Sequence, residues 1–136
     1  MKIIKYILKP DDLIDPRDLV TLILGIKLRE SRSQLYVTEF IPNLLSNCEK
    51  TLDDLAYGKV TSPSQLNVDA LLRDFSSTIQ IDEMVIIDST DHDKATFELS
   101  IEDSWILGIA EDDEKFAQKI DNVLGKLLGR SSERVS

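Results

Sequence analysis

The chain has 136 residues, of which 42% are hydrophobic and 30% charged, and its formal net charge is −9. These values are typical of one globular domain, which we predict over residues 1–130, with a flexible tail at 131–136. A net acidic chain without a basic stripe argues against nucleic acid and against an anionic membrane surface as partners.

Cysteine usage and the length of the apolar runs predict the cellular compartment. The single cysteine, Cys48, excludes an intrachain disulfide. Lysines interrupt the apolar residues at positions 1–9, so this stretch is too short and too broken for a signal peptide. The run from Leu22 to Ile26 is far below the roughly 20 residues that span a bilayer. We therefore predict a cytoplasmic protein.

The first predicted elements are a short strand and a helix. Ile3 to Leu8 is rich in β-branched and aromatic residues, which favours a strand. Asp15 can cap a helix that Pro16 opens, because proline suits the first helical position. The run from Leu19 to Leu28 is apolar nearly all round, and it fits a buried helix or a buried strand. The capping signal favours the helix.

Two further helices are predicted in the middle of the chain. Apolar residues recur at helical spacing, which predicts a helix from about Ile41 to Tyr57. Gly58 follows it as a stop signal. Ser62 and Pro63 predict another helix by the same logic of a cap and then a proline. The apolar residues between Leu66 and Phe75 supply the buried side of that helix.

Three apolar runs, at residues 79–87, 95–101 and 105–109, predict an antiparallel meander. Apolar and polar residues alternate in the second run, so one face of the sheet is expected to be exposed to solvent. Glu83 interrupts the first run, and we predict a bulge there rather than a glutamate on the inner face. A last helix is predicted with the acidic residues 111–114 as its first turn, and Gly129 follows it as a stop.

These elements predict an α+β fold. The expected antiparallel sheet consists of the N-terminal strand and the C-terminal three-stranded meander, and it packs against about four helices.

The negative charge is concentrated in one segment. Residues 79–114 contain twelve acids and one base, Lys94, for a net charge of −11, whereas the rest of the chain carries +2. One or two acids in a first helical turn stabilise the helix dipole, but four in a row at 111–114 repel one another. Glu98 and Glu102 lie on the wet strand face, where a solvated surface of mixed charge would also carry lysines. This concentration indicates either a docking surface or a surface that serves solubility.

Motifs for catalysis are weak. The only histidine, His92, lies in the turn from Asp88 to Asp93, where the oxygen-rich sequence invites a divalent metal. The spacing does not follow the EF-hand pattern, and a solvated turn is the favoured interpretation. Cys48 lies on a predicted apolar helix stripe, and the glycines form no phosphate-binding loop. We predict that the protein is not an enzyme and binds no cofactor or metal.

The predicted function is an acidic protein-binding module. Concentrated negative charge steers the encounter with a basic partner, so we expect an inhibitor or immunity-type protein that masks the active site of a basic, nuclease-like toxin. Trp105 is a candidate aromatic anchor, although a core position would also explain it. The predicted partner-binding residues are Asp82, Glu83, Asp88, Asp91, Asp93, Glu98, Glu102, Asp103 and Trp105.

Two alternatives remain open. A small acidic secretion-type chaperone would show an exposed apolar groove and form a homodimer. A small metal-dependent enzyme would use the turn from Asp88 to Asp93.

Overall fold

The described residues fold around one six-stranded antiparallel sheet. The computed structural model describes residues 1–9, 11–12, 14–30, 34–44, 58–65 and 78–133. Along the sheet the strands are ordered β1-β6-β5-β4-β2-β3. A single turn of 3-10 helix, His92–Lys94, lies in the loop between the fourth and fifth strands. The elements are β1 (Lys2–Ile7), α1 (Pro16–Glu30), β2 (Tyr36–Leu44), β3 (Gly58–Gln65), β4 (Thr78–Ile87), β5 (Phe97–Glu102), β6 (Ile106–Glu111) and α2 (Glu114–Leu128).

The α+β fold is dominated by its sheet, and the prediction of about four helices around a four-stranded sheet is wrong. The described residues contain two α-helices, and the sheet has two strands more than predicted. The start of the helix predicted from Ile41 to Tyr57 is the end of β2, and Ser62-Pro63 lies inside β3. The remainder of those two predicted helices, residues 45–57 and 66–77, lies outside the described residues.

Bulges interrupt both β2 and β4, and the bulge predicted at Glu83 is confirmed by the register shift there. The pairing register of β2 shifts between Val37 and Glu39, and both Val37 and Phe40 are buried. The register of β4 against β2 shifts where Glu83 interrupts the apolar run, so Ile81 and Met84 are likewise both buried. A bulge adds one residue to a strand, which places side chains three positions apart on the same face. Three positions is also the spacing of one helical turn.

The sheet has an inner face that forms the core and an outer face. Paired residues across a sheet point to the same side, so the ladder sets side chains in rows. One inner row runs Ile4, Ile109, Leu99, Ile86, Val37, and the next runs Tyr6, Leu107, Ile101, Met84, Phe40. All ten side chains are buried in one apolar cluster with residues of both described helices. Those two helices therefore pack on the inner face.

Local sequence signals set the ends of both helices. Asp15 accepts a hydrogen bond from the backbone N–H of Arg17 at 2.8 Å, at the start of α1. The Asp113 carboxylate caps α2 through the N–H groups of Lys115 and Phe116. Gly129 ends α2 with φ at 68°, a left-handed conformation that glycine adopts without a steric cost.

Candidate protein-docking site

The outer face of the sheet carries a groove across β1, β6 and β5. Three rows of paired residues form it, namely Ile3, Ala110, Glu98, then Lys5, Gly108, Ser100, and then Ile7, Ile106, Glu102. A cavity of about 240 Å³ lies over these rows. We call it the outer groove, and the residues that line it are Ile3, Lys5, Glu98, Ser100, Glu102, Ile106, Gly108, Ile109 and Ala110.

The floor of the outer groove has little side-chain volume at two positions of its middle row, Gly108 and Ser100. Gly108 has no side chain, and a Cβ atom there would lie 2.7 Å from the Oγ atom of Ser100. The neighbouring strand β1 keeps two isoleucines on this face, Ile3 at 53% exposure and Ile7 at 46%. Exposed apolar side chains beside a concave floor are typical of a surface that binds another molecule.

Two carboxylates give the outer groove its charge. Glu98 and Glu102 project from the same face of β5, four residues or roughly 13 Å apart at the usual strand rise of about 3.3 Å. Lys5 lies across the sheet in the middle row, next to Gly108. His92 places its Nε2 atom 3.6 Å from Glu98, an ion pair that forms only when the imidazole is protonated. The outer groove therefore carries isoleucines and Lys5 at its β1 side and is acidic at its β5 side.

The nine predicted partner-binding residues do not converge on one patch. They divide between the two ends of β5, and Glu98 and Glu102 are the two that line the outer groove. Trp105 follows the turn at one end of β5 and is 41% exposed, so it is not a core residue. Its backbone carbonyl accepts a hydrogen bond from Leu8 at 2.7 Å, which joins the turn to the end of β1.

The acids near the β5–β6 turn hold that turn in place. Asp103 and Ser104 both have positive φ, at 50° and 67°, which strains residues other than glycine. The Asp82 carboxylate accepts a hydrogen bond from the Ser104 hydroxyl at 2.8 Å, and the Asp82 carbonyl accepts one from the Ser104 N–H at 2.9 Å. Glu83 accepts a hydrogen bond from the N–H of Asp103 at 3.3 Å. These contacts give Asp82 and Glu83 a structural role.

The acids of the loop between β4 and β5 also bond to the backbone. Asp88 accepts hydrogen bonds from the N–H of Thr96 at 2.8 Å and of Phe97 at 3.1 Å, and a third from the Thr96 hydroxyl. Asp91 caps the 3-10 turn by accepting from the N–H of Asp93 at 3.0 Å. In the described part of the chain, no three His, Cys, Asp or Glu side chains group as metal ligands. These acids therefore stabilise the loop by hydrogen bonds to its own backbone, as Asp residues commonly do in turns.

The acids at 111–114 have separate structural positions. Glu111 is buried and pairs with Lys27 of α1, with 3.1 Å between Oε2 and Nζ. Lys27 lies between two aromatic rings, 4.7 Å from the ring centroid of Phe97 and 4.8 Å from that of Phe116. Glu111 therefore adds nothing to the surface charge, while Asp113 is the helix cap.

Sequence reasoning missed this buried pair, although the pattern contained a signal for it. Lys27 follows Ile23 and Leu24 at helical spacing, on the buried side of α1. Glu111 follows Leu107 and Ile109 at strand spacing, on the inner face of β6. Two opposite charges in apolar stripes predict a buried pair, because a buried charge needs a partner.

Comparisons with known proteins leave the family open. No family model, no curated protein and no solved structure matches the chain. Neither of the described helices is long and apolar enough to cross a membrane.

Proposed function

We propose that this protein is a protein-binding module of the inhibitor or immunity type, which docks a basic partner on the outer groove. The observation that supports the proposal is the placement of Glu98 and Glu102 at the acidic side of a concave, partly apolar surface. In such an interface, apolar contact area contributes affinity. Complementary charge raises the association rate and determines which partner binds.

We propose a smaller set of partner-contacting residues than the sequence alone suggested. Asp82, Glu83 and Asp88 bond to turns, so their carboxylates are committed within the protein. The set proposed for contact is Glu98 and Glu102 in the outer groove, with Ile3 and Ile106 as apolar contacts and Trp105 as an anchor at the turn. A partner with lysine or arginine side chains about 13 Å apart would match the two glutamates.

A nuclease-like toxin is the partner class that we propose, because such enzymes carry basic surfaces for the phosphate backbone. An acidic protein that covers such a surface excludes the nucleic acid by competition. A cytoplasmic location is part of the proposal, since the single cysteine fits a reducing compartment.

Charge reversal in the outer groove tests this proposal. The wild type and the Glu98→Lys/Glu102→Lys variant serve as baits for extract of the native source, at about 50 mM and 500 mM salt. We expect the wild type to retain a basic protein, and we expect the variant to lose it by a factor of at least ten. Circular dichroism establishes that the variant folds, which is expected because both side chains reach solvent.

A matched control separates local contacts from net charge. Asp11 and Asp18 are exposed, and Asp18 lies on α1, which packs on the opposite face of the sheet. The Asp11→Lys/Asp18→Lys variant changes the net charge by the same amount and is expected to capture the partner as well as the wild type does. Equal loss in both variants, or no loss in either, would contradict docking at the outer groove. The captured protein is then assayed for nuclease activity, which the wild type should inhibit at a one-to-one ratio.

The chaperone alternative keeps one specific observation in its favour. Ile3 and Ile7 are exposed beside the outer groove, as expected for a surface that holds an apolar segment of a client. The same capture distinguishes the two functions. A client held through apolar contacts stays bound at 1 M salt and survives the Glu98→Lys/Glu102→Lys change, whereas a basic partner held by charge is released.

A further inference from the structure

None of the described strands pairs with the outer edge of β1, and this free edge already accepts a piece of extended chain. β1 is the first strand in the sheet order, so β6 pairs with only one of its two sides. On the other side, the N–H of Glu133 donates to the carbonyl of Lys5 at 2.7 Å, in an antiparallel bridge. The carbonyl of Ile7 accepts a hydrogen bond from the Arg130 guanidinium, also at 2.7 Å. Two carbonyls of this edge thus bond to residues that follow α2.

The alternation of backbone groups along β1 identifies Ile3 as a third residue whose carbonyl faces this edge. Backbone groups in a strand point to alternate sides, so Ile3, Lys5 and Ile7 all direct their N–H and C=O groups toward the free edge. The same three residues carry their side chains on the outer face. A strand added here in antiparallel register would place alternate side chains directly opposite Ile7, Lys5 and Ile3.

We propose that the β1 edge is a docking site for an extended segment of another protein that carries an acidic residue flanked two positions away on each side by apolar residues. The acidic residue pairs with Lys5, in the position that Glu133 takes in the free protein. The apolar residues contact Ile3 and Ile7, which are about half exposed. The main-chain hydrogen bonds supply affinity, and the three side-chain positions supply specificity.

The surroundings of the edge fit such a segment. On the helix side of β1, a cavity of about 610 Å³ lies between the strand and α2, and Tyr6, Gly125, Lys126 and Arg130 are among its lining residues. The Asp121 carboxylate at this cavity accepts a hydrogen bond from the Tyr6 hydroxyl at 2.7 Å, and Arg130 is paired with Asp12. Lys5 on the outer side and Lys126 on the helix side both favour an acidic segment over a basic one.

This site is separate from the acidic side of the outer groove and does not depend on the proposed function. The two sites share Ile3, so a basic protein at Glu98 and Glu102 and an acidic segment at β1 would contact adjoining parts of the same surface. Residues 131–133 act as an internal competitor, because the incoming segment takes the backbone bond of Glu133.

A labelled peptide tests the proposal. The probe has seven residues, with isoleucine, glutamate and isoleucine at its second, fourth and sixth positions and threonine elsewhere. Its binding is followed by fluorescence anisotropy with the full chain and with the full chain carrying Glu133→Pro, which removes the N–H that bonds to Lys5. We expect the proline variant to bind the peptide about two- to tenfold more tightly, the equivalent of one backbone hydrogen bond. Glu133→Ala, which keeps the N–H, is the matched control and should bind the peptide less tightly than Glu133→Pro does.

Two further changes identify the mode of binding. A peptide with N-methyl groups on the backbone nitrogens that face β1 should lose binding at least tenfold, because strand addition needs those donors. Replacing the glutamate of the peptide by lysine should weaken binding, and the Lys5→Glu variant should reverse that preference. The proposal is overturned if no variant binds the peptide at millimolar concentration, if N-methylation has no effect, or if the preference is unchanged in Lys5→Glu.

Discussion

Replacing Lys27 by methionine should destabilise the protein by about 3–5 kcal/mol, the usual cost of removing one partner from a buried ion pair. The side chains of Lys27 and Glu111 are only 7% and 3% exposed, so water cannot solvate the carboxylate that remains. Methionine keeps the apolar length of the side chain between Phe97 and Phe116, which limits the loss of packing. Urea unfolding at pH 7, followed by far-UV circular dichroism, measures the change.

Adding Glu111→Gln to Lys27→Met should restore at least about 1.5 kcal/mol, because it removes the buried charge that the first change left unpaired. The amide keeps an oxygen for the N–H of Asp113, which bonds to Glu111 at 3.2 Å. The control is Lys119→Met, since Lys119 forms an exposed ion pair with Glu30 and should cost less than about 1 kcal/mol. The role of Lys27 as partner of a buried charge is refuted if Lys27→Met lowers the free energy of unfolding no more than this control does. It is also refuted if the double variant is less stable than the single one.

Three further predictions concern the ends of the elements. Asp12→Asn should cost stability at neutral pH, because Arg130 lowers the pKa of Asp12 to about 2. A lowered pKa contributes stability above the unfolded value near 4 that is lost as the pH falls toward 2, so urea unfolding at pH 7 and pH 2 should show the difference from wild type shrinking. Asp113→Ala removes the cap of α2 and should cost about 0.5–2 kcal/mol in the same assay, and an unchanged midpoint would contradict the capping role. Gly129→Ala should lower the melting temperature because φ is positive there, whereas Gly25→Ala inside α1 should raise it, since a Cβ at Gly25 meets nothing within 4 Å. The same sign of change in both glycine variants would refute the conformational argument.

Sequence patterns predicted the α1 and α2 helices and the strands that follow Thr78, because there local signals and tertiary structure agree. Asp15 with Pro16 marks the start of α1, and Gly129 marks the end of α2. Regular alternation from Phe97 to Ile101 marks β5.

The error around β2 has a physical cause. The apolar residues that begin with Phe40, Ile41 and Leu44 recur at helical spacing, and Pro42 resembles the first turn of a helix. In the sheet, Pro42 lies where the register of β2 against β4 shifts, a place where a strand tolerates a residue without an N–H. The pairing of β2 with β4 and β3, both distant in sequence, keeps this segment extended.

The sequence indicated which acidic residues belong to the candidate site, but not which residues of other strands lie beside them. Charge counting identified Glu98 and Glu102, which line the outer groove. It could not identify Ile3 and Lys5, because their place beside Gly108 depends on the pairing of β1 with β6. Nor could it distinguish an acid that faces solvent from one, such as Asp88, that bonds to its own loop.

The pairing of β1 with β6 also has a consequence for how the chain folds. Tyr6 lies opposite Leu107, and Lys27 pairs with a carboxylate 84 positions away, so the contacts that complete the core join distant parts of the chain. Closing such long loops carries an entropic cost before any contact forms, which slows folding. During synthesis β1 and α1 emerge well before β6. Their apolar faces have no sheet to pack against until the meander of β4, β5 and β6 has formed. We therefore expect the meander to form first and to act as the template on which the earlier part of the chain assembles.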